Sequence, residues 1–129
     1  MEYGRTGDQP FLDPEIIAEF TAFVSESART LARCSAEMDT RGREAATQIF
    51  EHSHNLKGIG STFGFALLTD VAGGLCHYIK YVGPTADFRT DVVRAHVDAI
   101  IQIIDTPMPG DGGPEGERLL ARLQVLAGR

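Results

Sequence analysis

The residues 51–58 read Glu51-His52-Ser53-His54-Asn55-Leu56-Lys57-Gly58 and hold the side chains best suited to chemistry. A neutral imidazole is a nucleophile near pH 7, because its unperturbed pKa is about 6.5. In a helix, Lys57 at i+3 and Gly58 at i+4 flank His54 on one face. An ammonium beside an imidazole disfavours the imidazolium form, and it balances the negative charge of a phosphoryl group attached to the ring. Phosphoryl transfer asks mainly for positioning and charge stabilisation, so one nucleophile and one cation suffice when a partner brings the rest. Gly58 removes the side chain that would crowd the imidazole and lets another protein's loops approach.

The helix that must carry these groups spans about Glu44 to Thr62. At about 100° per residue, Ala45, Ile49, His52, Leu56, Ile59 and Phe63 share a buried side, and His54 lies opposite, facing water. Phe50 sits on the exposed face one turn earlier, with Thr47 and Ser61 further along it. His52, about 160° from His54, is expected to be buried and hydrogen-bonded. Interior glycine costs a helix about 1 kcal/mol relative to alanine. Gly60 projects toward the packed side, where it allows close helix contact, whereas Gly58 projects toward solvent, where packing gives no reason for it.

The remaining elements are also helical in period. Asp13-Pro14-Glu15 supplies an N-cap oxygen, proline at N1 and a carboxylate in the first turn. Phe20, Val24, Ser27, Leu31, Cys34 and Met38 then form one apolar stripe, which Asp39-Thr40-Arg41-Gly42 closes. Gly64 interrupts the pattern. Leu68, Ala72, Leu75, Ile79 and Val82 mark a third helix ending at Gly83-Pro84, and Val93, Val97, Ile100 and Ile104 mark a fourth that stops before Pro107 and Pro109. Residues 106–114 read as a loop, and Leu119, Leu120, Leu123 and Leu126 suffice for a short packed tail helix. This pattern predicts an all-α fold, an up-down four-helix bundle with a short additional C-terminal helix. Residues 1–10 are expected to be a flexible N-terminal segment and 11–129 one domain, with Phe11 and Leu12 able to cap the bundle end.

With 129 residues and a formal net charge of −6, the chain is one ordinary domain with an acidic balance. Such a surface repels phosphate backbones and anionic lipid, so neither nucleic acid nor membrane is an expected partner. No apolar run approaches the roughly 20 residues that span a bilayer, and the first ten residues have no signal-peptide character. Cys34 and Cys76 have no metal-ligand spacing and fall on apolar faces, so they read as reduced, buried thiols of a cytoplasmic protein. His77 and His96 match no ligand spacing either and read as ordinary, partly exposed residues.

Around His54 the sequence resembles the histidine-containing phosphotransfer (Hpt) domain family. The shared pattern is His54, Leu56, Lys57, Gly58 and Gly64, followed by Leu68, Ala72 and Leu75. The resemblance implies a four-helix bundle that accepts a phosphoryl group on His54. The donor and acceptor would be aspartates of response-regulator receiver domains, with a histidine kinase, including a hybrid kinase, as donor in some branches. Two features depart from the family. Cys76 stands where an acidic residue is common, and Gly73-Gly74 is unusual inside the third helix.

The expected function is a cytoplasmic phosphorelay intermediate, monomeric, with no cofactor of its own. Its receiver partner supplies the Mg²⁺. His54 is the phosphorylated nucleophile and Lys57 stabilises the phosphoryl charge, while Phe50, Gly58, Ser61, Gly64 and His77 form the docking surface. No Gly-rich phosphate loop occurs, and the length leaves no room for an ATP-binding catalytic domain, so the chain is a stoichiometric carrier and not a kinase. The alternative is a binding module that docks or sequesters receiver or kinase domains without relaying phosphate. A metal-binding bundle enzyme would need inward Glu-x-x-His pairs on two helices, and Glu51-His52-Ser53-His54 occurs only once, with its terminal His pointing outward.

Overall fold

A computed structural model describes residues 13–106 and 110–128. The N-terminal segment, Phe11, Leu12, Pro107 and Pro109 lie outside the described residues. The first helix, α1 (Pro14–Ala36), starts as its local chemistry dictates, with the Asp13 carboxylate accepting the Glu15 backbone N–H at 2.8 Å and proline filling the first turn. It ends earlier than the apolar stripe. The Glu37 N–H returns to the carbonyls of Arg33 and Cys34, and Met38 begins a separate single turn, α2 (Met38–Arg41). Met38 is still buried. Gly42, at φ 54°, reverses the chain into α3 (Arg43–Gly60).

A 3₁₀ turn (Ser61–Phe63) follows, capped by Gly64 in the left-handed region at φ 86°. Next come α4 (Ala66–Tyr81), α5 (Thr90–Asp105) and α6 (Gly113–Leu126). Gly113 and Pro114, read as loop in the sequence, are the first turn of α6, since proline fits an N-terminal helical position. There is no strand among the described residues, and no helix there is long and apolar enough to cross a membrane.

Packing closes a ring in which α1 contacts α3, α3 contacts α4, α4 contacts α5, and α5 returns to α1. The fold is an all-α bundle, and α6 covers α4 and α5. Leu31, Ile49, Leu56, Leu68, Leu75, Ile100 and Ile103 are fully buried at its centre. Burying each such side chain contributes about 1.5–3 kcal/mol. Cys34 and Cys76 are buried free thiols.

Two histidines differ from the sequence reading. On α3 the buried positions are Ala45, Ile49, Ser53, Leu56 and Gly60, which rotates the packed face toward Ser53 and leaves His52 half-buried on its flank. Ser53, the next residue, is fully enclosed. His96 is only 1% exposed, with Nδ1 2.9 Å from the Val92 carbonyl oxygen. It is buried because α5 is covered on three sides, by α1, α4 and α6, so its apolar face is wider than a single stripe.

Candidate functional site

His54 is exposed on α3, opposite the packed face, and it makes no hydrogen bond among the described residues. Phe50, one turn earlier, stacks on its ring with centroids 6.1 Å apart and planes 12° from parallel. The imidazole is therefore flanked by one ring and exposed to solvent. Gly58, one turn later, would place a Cβ in open space, with nothing within 4 Å. Its exposure, inferred from spacing, is what the structure shows.

A shallow groove runs beside this ring between α3 and α4. Phe50, His54 and Lys57 line it from α3, and Gly73, Cys76, His77, Lys80 and Tyr81 line it from α4. The structure thus brings Phe50, His54, Lys57 and His77 together. His77 and Tyr81 stack with centroids 4.7 Å apart, and the Lys80 ammonium lies 5.3 Å from the centre of the exposed Tyr81 ring, within cation–π range. Cys76 sits beneath, its thiol donating a long contact (3.8 Å) to the Phe50 carbonyl. Burial pushes the Cys76 thiol pKa up, and the Lys57 charge opposes that rise.

Ser61 and Gly64 lie outside the groove, past the end of α3. Thr69 organises that end: its hydroxyl accepts from the Ser61 N–H at 2.8 Å and donates to the Lys57 carbonyl at 3.1 Å. Gly60 makes this approach possible, because a Cβ there would lie 2.5 Å from Thr69 Oγ1 and 3.0 Å from the Phe65 carbonyl oxygen. The Gly64 carbonyl accepts from the Gly110 N–H. Ser61 and Gly64 are exposed, and Ser61, seven residues after His54, lies about 10 Å from it along the helix axis.

The groove gathers cations without a carboxylate among its lining residues. Arg29, Arg41, Arg89 and Arg94 each pair with a carboxylate, at 2.5–3.3 Å. Lys57 and Lys80, like Arg33, Arg43, Arg118 and Arg122, form no ion pair among the described residues. Lys57 and Lys80 are the only lysines in the sequence. In a chain with an excess of acids, both are held next to one exposed histidine with no acid lining the groove. Sequence reasoning missed Lys80, Tyr81 and Gly73 as neighbours of His54. The restriction of lysine to two positions was the signal available for Lys80.

No group of three or more His, Cys, Asp or Glu among the described residues is arranged to hold a metal ion. The groove can present a nucleophile, two cations and flanking aromatic surface to an anionic group carried by a partner. No curated protein matches the chain, and no solved structure does. The Hpt domain family model matches residues 20–105, which include α3, α4 and every residue of the groove. That span is more than half of the sequence, and the chain belongs to the Hpt domain family, the phosphoryl carriers of two-component phosphorelays.

Proposed function

We propose that His54 is the phosphoryl-carrying residue of a phosphorelay protein that works between receiver domains. The observation that carries this reading is the exposure of His54, free of internal hydrogen bonds, in a groove that holds both lysines and no carboxylate. In the forward step the Nε2 lone pair of the neutral ring attacks the phosphorus of an aspartyl phosphate on the partner. The N–P bond forms as the P–O bond to the aspartate breaks, the carboxylate leaves with the electron pair, and the proton stays on Nδ1. Transfer to the next aspartate reverses these events.

Lys57 and Lys80 balance the charge of the phosphoryl oxygens, which are the strongest acceptors in the encounter. Phe50, Gly58, His77 and Tyr81 form the centre of the docking surface, and Ser61 and Gly64 its edge. The Mg²⁺ belongs to the receiver, the carrier acts as a monomer in the cytoplasm, and a hybrid histidine kinase is a suitable upstream donor.

Purified protein is tested against the receiver domains of its own organism, each charged with labelled phosphate. The expected result is acid-labile label on the wild type and none on His54→Gln. Label retained on His54→Gln overturns the assignment and moves the nucleophile to His77 or His52. Receiver binding by the wild type without any label supports the sequestering alternative.

A further inference from the structure

The pair Gly73-Gly74 within α4 runs against helix propensity, since only proline is a poorer helix former than glycine. Gly73 borders the groove of His54. A Cβ at Gly73 would lie 3.6 Å from Lys57 Cδ, 3.8 Å from Cγ and 3.9 Å from Cε. Three consecutive carbons of the lysine stem therefore pass over this one position. A lysine lays its methylenes along available apolar surface and keeps its ammonium in water. Here that surface is the side of α4 that Gly73 leaves without a side chain. The influence of Lys57 on the Cys76 thiol, three residues further along α4, agrees that the charged end is turned toward this helix.

The geometry points to Gly73 as a positioning residue, which keeps open the seat on α4 where the Lys57 stem lies and so fixes the approach of its ammonium to a phosphoryl group on His54. This inference rests on the carrier reading above. Unseated, a lysine stem samples many rotamers, and ordering it on contact with the phosphoryl group costs conformational entropy. Seated, it meets the group already oriented. Alanine at position 73 would touch the stem at ordinary contact distance, whereas a leucine side chain would occupy the seat.

Phosphoramidate, a small phosphoryl donor, separates this effect from protein docking. The rate of His54 phosphorylation is followed by intact mass for the full chain and its variants. Gly73→Leu is expected to slow the reaction about tenfold, as Lys57→Ala does, and the double variant is expected to be no slower than Lys57→Ala alone. Gly73→Ala is expected to recover all but about twofold of the rate. A Gly73→Leu rate equal to wild type, or a double variant slowed by the product of the single effects, overturns the proposal. In wild-type protein, nuclear Overhauser contacts between the Lys57 methylenes and Gly73 Hα are expected, and their absence overturns it whether or not Gly73→Leu folds. A wild type that shows these contacts but takes up no phosphate overturns the carrier reading itself.

Discussion

The groove between α3 and α4 carries Phe50, His54, Lys57, His77, Lys80 and Tyr81, whereas the groove between α1 and α5 carries Ile17, Phe20, Val24, Phe63, Phe65 and Ile104. In the second, the aromatic rings satisfy one another: Phe20 stacks on Phe63 at 4.2 Å and on Phe65 at 5.7 Å. In the first, Phe50 and Tyr81 each stack on a histidine, Lys80 lies over Tyr81, and neither lysine has a carboxylate partner among the described residues. One groove is the outer layer of the core. The other gathers both lysines beside an exposed histidine with no carboxylate, the arrangement the proposed carrier role uses.

The sharpest way to break this contrast is to truncate one aromatic in each groove. Phe20→Ala should lose about 3–5 kcal/mol of stability in urea denaturation. Phe50→Ala should lose under about 1.5 kcal/mol, because Phe50 is only half-buried, and it should weaken receiver binding instead. Equal losses would make the α3–α4 groove a structural seam like the other. Next in size, Lys57→Ala should slow receiver-to-His54 transfer about tenfold and Lys80→Ala a few-fold, with stability changed by no more than about 0.5 kcal/mol in either case. Stopped-flow or quench measurements with a charged receiver decide this, and a transfer rate unaffected by Lys57→Ala would remove the proposed role of its charge.

Gly58→Leu sharpens the comparison within one helix, against Gly60 two residues later. Because a side chain at 58 meets nothing, the substitution should stabilise the protein by up to about 1 kcal/mol while weakening receiver docking several-fold. A side chain at Gly60 collides with Thr69 and should destabilise it. Smallest of all is the contrast between unpaired lysines and paired arginines. Hydrogen bonding from Arg89, with its charge, holds the Asp91 carboxyl below its ordinary value of 3.8. The folded-state value is the lower one, so the contribution of Asp91 is present at neutral pH and is lost as pH falls below 3.8 through the depressed value. Asp91→Asn should therefore flatten the acid limb of the thermal stability curve slightly, whereas Lys80→Ala should leave that limb as it is.

Much of this architecture was legible because it follows helical period. The stripe from Phe20 to Met38, the N-cap at Asp13, the interruption at Gly64 and the outward direction of His54 all depend on local spacing alone. What spacing cannot show is how many neighbours cover a helix. His96 read as partly exposed because one stripe was assumed for α5, yet α6 adds a third covering surface. His52, expected to be buried, is half-buried because a rotation of α3 by less than half a residue step decides which of two adjacent positions, 52 or 53, faces the core. Lys80 and Gly73 joined the site only through the pairing of α3 with α4, a contact between residues far apart in sequence. The glycine pair is unusual in α4 by sequence, and only the packing shows the Lys57 stem lying beside Gly73.

The central claim is that the ring nitrogen of His54 carries the phosphoryl group. Wild-type protein charged by a phosphorylated receiver can be examined by ³¹P NMR and by peptide mapping at neutral to alkaline pH. The account predicts a phosphorus–nitrogen resonance and a single modified peptide with the group on residue 54. A phosphorylated peptide carrying it on His77 or His52, or an uncharged protein in the presence of receivers that bind it, would contradict the account.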